Sequence, residues 1–263
     1  MTRFDGDLRL ALEVADACDL ATLPVYEGRA FDVERKLDTT EVTEADRATE
    51  RIAVARLLDA RPDHAAFGEE HGLIGDADAV WRWIIDPIDG TSGFVRGIPV
   101  WATLIALVHA DIGVVVGVVS APALGRRWWA ASGTGAFADG RRCTVSTVER
   151  LEDAQVSVTF NDGWDDLGLT GRLVTLQQRA RRARGFGDFW QHVLVAEGAV
   201  DVAIDAVGVA PYDLAAVRLI VEEAGGTFTD RHGEPTHEHD TAISSNGLLH
   251  AETISWLTAR AQA

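Results

Sequence analysis

Ile84-Ile85-Asp86-Pro87-Ile88-Asp89-Gly90-Thr91 is the stretch on which the reading of this chain turns. Ahead of it, Trp81-Arg82-Trp83-Ile84-Ile85 reads as a buried strand that stops at Asp86-Pro87. Two carboxylates then stand three residues apart where that strand ends. The proline between them fixes φ and removes one backbone donor, so the turn can aim both carboxylates and the Ile88 carbonyl at one point. Such an all-oxygen nest suits a hard divalent cation such as Mg2+. Gly90 lets the backbone come close to a ligand, and the Gly90 and Thr91 amides, with a short helix behind them, offer donors to a phosphate. Taken alone, the same residues also make an ordinary Asp-Pro turn.

Three further acidic elements surround it in the sequence. Lys36-Leu37-Asp38-Thr39-Thr40-Glu41-Val42-Thr43-Glu44-Ala45-Asp46 is a charged loop leading into a helix, Gly68-Glu69-Glu70 is a loop, and Pro211-Tyr212-Asp213-Leu214-Ala215-Ala216 places Asp213 where a helix begins, as an N-cap would be. Each of these, too, is ordinary structure when read by itself.

Between them the chain alternates helices and strands. Residues 5–22 and 44–60 have helical spacing. The second helix has Thr43 as N-cap, Ile52, Val54, Ala55 and Leu58 as the expected buried stripe, and Pro62 as its stop. Strands are predicted over 100–109, 113–120, 127–131, 156–160, 201–205 and 227–229. Helices are predicted over 167–181, up to Gly198 from before His192, over 214–224 and from 246 to about 259. A 263-residue chain is one large domain or two intimate subdomains. The shift from β-rich to alternating structure places the divide near residue 140. The expectation is a single unit over 1–263, with an α+β part over about 1–140 carrying the first metal motifs and an α/β part over 141–263.

The charge balance narrows the function. With 24 Lys+Arg against 41 Asp+Glu the net charge is −17, which repels nucleic acid and anionic lipid, so neither is expected as a partner. An anionic small substrate stays open, because metal ions or helix ends can reverse the local field. Cys18 and Cys143 fit no zinc spacing and read as small core residues. The start of the chain has no apolar run of a signal peptide, and the longest apolar stretch, 114–119, is far short of a membrane span. A cytoplasmic location is expected.

In their order and spacing the four acidic elements resemble the inositol monophosphatase family of Mg2+-dependent, lithium-sensitive phosphatases. The family's G-E-E loop stands here as Gly68-Glu69-Glu70 and its D-P-[IL]-D-G-T segment as residues 86–91. Its W-D-x-A-A segment stands as Tyr212-Asp213-Leu214-Ala215-Ala216, running to Glu223-Ala224-Gly225-Gly226, and V-T-x-A-D as Val42-Thr43-Glu44-Ala45-Asp46. Two departures are Gly93, where the family commonly has Asn, and Tyr212 in place of Trp. The first is expected to loosen the loop over the phosphate.

The resemblance implies an α-β-α-β-α layered sandwich, usually a homodimer, and a phosphate monoester hydrolase. It implies a first Mg2+ on Glu69, Asp86 and the Ile88 carbonyl, and a second on Asp86, Asp89 and Asp213. Glu69 would orient a third, weaker ion through water, with Asp46 nearby. Glu69 and Thr91 would orient the attacking water, and the Gly90 and Thr91 amides would hold the phosphate. The substrate's alcohol would be read by residues ahead of Asp213. There Gly185-Phe186-Gly187-Asp188-Phe189-Trp190-Gln191-His192 and Val195-Ala196-Glu197-Gly198, with residues 94–103, resemble the bacterial histidinol-phosphatase branch. Asp188 and Glu197 would suit the ammonium and imidazole of histidinol phosphate, Phe189 or Trp190 could stack on that imidazole, and Asp205 falls near a polyol-binding acid. Asp188 as a surface acid and Glu197 as a helix-end acid are the plainer alternatives. Inositol phosphate is the alternative substrate, and an idle binding dimer the alternative function. His71 and His192 are not expected as ligands, because Mg2+ prefers oxygen.

Overall fold

Side chains along the central strands sort by parity, as the two-residue period of a strand requires. In strand Trp81–Asp89, Trp83 and Ile85 face one way and Ile84 the other. In strand Ala102–His109, Ile105 and Leu107 join the first set, Leu104 and Ala106 the second. A sheet apolar on both faces must be covered on both. The structure, a computed structural model, describes residues 3–29, 33–35 and 41–258. Among these, helices Asp5–Gly28 and Glu44–Ala60 cover the first face through Ala11, Val14, Ala15, Cys18, Ala53, Val54 and Leu57. Helices Asp188–Ala196 and Pro211–Glu223 cover the second through Val193, Leu214, Ala215 and Val217.

This first sheet has eight strands, in the order 141–142, 135–138, 126–131, 113–121, 102–109, 81–89, 65–68 and 72–74. All its pairings are antiparallel except that of Ala65–Gly68 with Trp81–Asp89. The middle helices turn their other side to a five-stranded sheet, in the order 182–184, 155–158, 202–204, 243–245 and 227–229, through Ala203 and Phe228. The far face of that sheet, with Val156, Val158, Val202 and Ile204, is closed by Leu173, Leu176 and Leu257 of helices Thr170–Arg179 and His250–Thr258. The layers run helix, sheet, helix, sheet, helix.

Several elements differ from the sequence reading for identifiable reasons. The first helix runs on to Gly28 through Pro24. The helix expected over 167–181 is Thr170–Arg179, and a separate short helix that the sequence reading did not include, Asp162–Asp166, precedes it, the two divided where Gly168 takes a φ of 67°. Arg182–Arg184 is an edge strand whose charged residues carry no apolar alternation to announce it. The last helix begins at His250, and its expected end at 259 lies outside the described residues, as do residues 36–40. Cys18 and Cys143 are buried free thiols.

The middle helix lies unusually close to the first sheet at one point. A Cβ on Gly117 would stand 2.6 Å from the Ala216 carbonyl oxygen, in the helix that carries Asp213. Gly117→Ala is therefore expected to destabilise the fold by about 1–3 kcal/mol, as overpacking of a filled core does. Urea unfolding checks this, and an unchanged midpoint would show that the helix can retreat freely.

Candidate active site

Strand Trp81–Asp89 does not stop at Pro87. It continues through a bulge: Asp86 pairs with Leu104 and Asp89 with Ala102, so three residues advance against two. Proline has no N–H to lose from the ladder, which is why it is accommodated at this irregularity. Around the bulge, the Ile88 amide donates to Asp86 Oδ1 (2.9 Å) and the Thr103 hydroxyl donates to the Pro87 carbonyl (2.8 Å). The slip aims Asp86 and Asp89 to the same side, at the end of the sheet where the middle layer begins.

Asp213 reaches the same place from helix Pro211–Glu223. It is the third helical residue and not the N-cap. Its Oδ2 accepts from the Ala210 amide (2.7 Å), which satisfies a donor at the helix start and fixes the carboxylate's direction. Asp86, Asp89 and Asp213 each offer an oxygen within 4.8 Å of the others. Asp86 and Asp89 are buried, and burial pushes both carboxyls well above the usual range. For Asp86 the neighbouring charges of Glu69, Asp89 and Asp213 add to it, and for Asp89 those of Asp188 and Asp213. The Phe189 amide opposes the shift at Asp89, donating to its Oδ2 at 2.6 Å.

The cluster opens into a cavity of about 400 Å³. Glu69, Asp86, Ile88, Asp89, Gly90, Thr91, Asp188 and Asp213 line it, and Glu41, Ser92 and Arg96 complete its wall. Glu69 is held next to the cluster by its amide, which donates to the Ile85 carbonyl (3.3 Å). The Thr91 hydroxyl lies 2.8 Å from the Ile88 carbonyl and 3.1 Å from Asp46 Oδ1. Asp46 Oδ2 accepts from the Thr43 amide (2.8 Å) and hydroxyl (2.6 Å), a capping box at the start of helix Glu44–Ala60. Burial raises the Asp46 carboxyl despite these bonds.

Of the three acids assigned to the alcohol, only Asp188 lines this cavity. It is open to solvent at the lip and takes a positive φ of 49° at the start of helix Asp188–Ala196. On its inner side the surrounding protein, with the Asp205 and Asp213 charges, pushes its carboxyl up to about 6. Asp205 sits behind it, buried, with Oδ2 at 2.9 Å from His192 Nε2 and Oδ1 accepting from the Ala206 amide. His192 is itself buried and bonded through Nδ1 to Ser244 Oγ (2.7 Å), so it orients Asp205 and faces no ligand.

The placement of Glu197 corrects the sequence reading. It ends the helix on the far side and lines a different cavity with Arg126 and Cys143. Its Oε1 accepts from Arg126 Nη2 (2.9 Å) and from the indole N–H of buried Trp128 (2.5 Å). A carboxylate so engaged neutralises Arg126 and satisfies the tryptophan, outside the lining of the acidic cavity. The expected aromatic stacking changes as well. Phe189 is 1% exposed and packs on Trp128, while Trp190 packs on Phe186, and neither lines the cavity. Gly93 does not loosen its loop. A Cβ there would stand 2.9 Å from the Val100 carbonyl oxygen, and the Gly93 carbonyl accepts from Ile98 N–H (2.9 Å), so the missing side chain lets the loop close tightly.

The donor set fits a metal. Clustered buried carboxylates repel one another and stay protonated unless a cation joins them, and all-oxygen ligation is that of a hard divalent ion. What the arrangement can do is hold one or more such cations beside a hydroxyl and an acidic lip.

The profile of the Inositol monophosphatase family matches residues 8–262. The chain is 45% identical over 268 residues to the histidinol-phosphatase of Streptomyces coelicolor, covering 99% of this chain and all of that protein. It is 46% identical over 259 residues to the histidinol-phosphatase of Mycobacterium tuberculosis, covering 96% and 98%. Among solved structures, the extragenic suppressor protein suhB of Bartonella henselae superposes with a TM-score of 0.89 at 29% identity, over 97% of this chain and 99% of that one.

Proposed function

The chain belongs to the inositol monophosphatase family, and from that premise we propose that it is a Mg2+-dependent phosphate monoester hydrolase whose substrate is histidinol phosphate. The observation that carries the substrate choice is the Asp188 carboxylate at the lip of the acidic cavity, in a chain 45% and 46% identical over nearly its full length to two proteins named histidinol-phosphatase. An ammonium or imidazolium on the alcohol side would meet a carboxylate there.

Glu69, Asp86, the Ile88 carbonyl, Asp89 and Asp213 would hold the cations, two or three in number. When bound, these ions supply Lewis acidity to a phosphoryl transfer that is among the slowest reactions in water without a catalyst. The chain's own groups do the rest. The Thr91 hydroxyl has two acceptors within reach, the Ile88 carbonyl at 2.8 Å and Asp46 Oδ1 at 3.1 Å, and giving its one proton to either leaves the oxygen's lone pairs to accept from the attacking water. Glu69 orients that water from the other side. The Gly90 and Thr91 amides hold the phosphate oxygens, and because water is the nucleophile no covalent phosphoenzyme is required. Asp205, oriented by His192, adds negative potential behind Asp188. The reading includes a homodimer working in the cytoplasm.

The test is Asp188→Asn assayed on L-histidinol phosphate and on glycerol phosphate at fixed Mg2+. A charge-assisted hydrogen bond contributes about 1.5–3 kcal/mol, so kcat/KM for histidinol phosphate is expected to fall roughly 10–100-fold. The neutral alcohol should lose far less. Equal losses on both esters would remove Asp188 from recognition. A wild-type preference for inositol 1-phosphate over histidinol phosphate would move the chain to the inositol-cleaving reading. Absence of any phosphate release with Mg2+ would favour a binding role.

A further inference from the structure

Helix Glu44–Ala60 buries a polar face. Asp46, Thr49 and Glu50 lie on the same side as Ala53, Val54 and Leu57, and Glu50 has no exposed surface. Burying a carboxylate without partners is costly, so its bonds identify its purpose. Glu50 Oε2 accepts from the Glu70 amide (2.7 Å), and Oε1 accepts from the His71 amide (2.9 Å) and lies 2.8 Å from His71 Nδ1. On the other flank of Glu69, Gly68 provides the space. A Cβ on it would stand 2.3 Å from the Glu50 carboxyl carbon. One carboxylate thus fills the hollow behind Gly68 and ties down Glu70 and His71, with Glu69 between them.

Glu50 lines no part of the cavity and is one helical turn from Asp46, which holds Thr91. We propose that Glu50 is a positioning residue that holds the Glu69 loop in the conformation that binds the cation. One helix then braces both groups that flank the attacking water, Thr91 through Asp46 and Glu69 through Glu50. This inference rests on the assignment of Glu69 as a metal ligand.

The experiment measures Mg2+ binding to the metal-free full chain by titration calorimetry, with melting temperatures alongside, for Glu50→Gln, Glu69→Gln and the double variant. Loss of a residue that orients a ligand weakens metal binding by about 10–100-fold, and that is the expected result for Glu50→Gln. In the Glu69→Gln background the same change should add less than about twofold in Mg2+ affinity while lowering the melting temperature as much as before, because groups acting through one ligand are not additive. Unchanged affinity in Glu50→Gln, or an equal loss of affinity in both backgrounds, overturns the proposal. An effect of Glu69→Gln without one of Glu50→Gln overturns the brace alone. No effect of Glu69→Gln removes the metal assignment and the brace with it. If Glu50→Gln does not fold, His71→Ala decides, since its ring is at the surface. Weakening by about threefold or more, the worth of one hydrogen bond, supports the brace, and unchanged affinity overturns it.

Discussion

Asp86→Asn should lower kcat by at least about 10³-fold, since it removes a charge from the centre of a metal clamp. Asp86 is the carboxylate on which the site converges. Glu69, Asp89 and Asp213 all act on it, and it shares a hydrogen bond with Asp213. The substitution keeps the shape of the side chain, so a loss of activity reports on charge. The same variant should make the metal-free protein more stable at neutral pH. Burial and like charges raise the Asp86 and Asp89 carboxyls above their value of 3.8 in an unfolded chain. The stability contributed by a carboxyl that is harder to ionise when folded is fully present below its unfolded value and is lost as pH rises from there through the raised one. The metal-free wild type should therefore weaken as pH climbs from about 4, and the asparagine variant should weaken less. Phosphate release against Mg2+ concentration and melting with and without chelator check both parts. Near-normal activity would sink the metal assignment. Lower metal-free stability than wild type would mean that Asp86 is held for the fold.

Much of the architecture was legible because it follows from parity and punctuation. The strands expected over 81–85 and 100–109 are there, and their sorting of Trp83, Ile85, Ile105 and Leu107 against Ile84 and Leu104 shows why such apolar runs are strands of a sheet covered on both faces. The four acidic segments announce the cluster, and the structure brings Glu69, Asp86, Asp89, Asp188 and Asp213 to one cavity. What was not legible concerns groups that break the apolar rule. On helix Glu44–Ala60 the sequence favours a stripe through Ile52, Val54, Ala55 and Leu58; Val54 is buried and Leu58 packs on the core, but Ala55 is exposed and the inward face also takes Asp46, Thr49 and Glu50. Periodicity weighs side chains by hydropathy and cannot see a carboxylate buried against amides 20 residues away in sequence. Glu197 failed for the complementary reason. Its spacing from Asp188 is read along the chain, whereas its direction is set by Arg126 and Trp128 on a sheet strand. Glu41, Ser92 and Arg96 were in view only as parts of longer segments. Arg96 lies at 3.1 Å from the Glu41 carboxylate at the cavity wall, a pairing made by tertiary contact alone.

Thr91→Ala should lower kcat by about 10²-fold or more while leaving KM within a few-fold, the pattern of a group that acts in the transition state and not in binding. Thr91 sits where the bulged strand gives way to helix Thr91–Arg96, and its hydroxyl is flanked by two acceptors, the Ile88 carbonyl and Asp46. It has one proton to give, so its oxygen keeps lone pairs for a water donor. Asp46 and the Ile88 carbonyl together hold the hydroxyl in this orientation, and Thr43 in turn fixes Asp46 through two bonds. Thr91→Ser keeps the hydroxyl and should retain most of the rate. Asp46→Asn can place an amide donor where the hydroxyl needs an acceptor, so it should cost nearly as much as Thr91→Ala. Combining the two should cost little more than either alone, because both changes disable one relay. Multiplying losses would show that Asp46 acts on something besides Thr91. A rise in KM with kcat preserved would reassign the Thr91 hydroxyl to holding the substrate's phosphate.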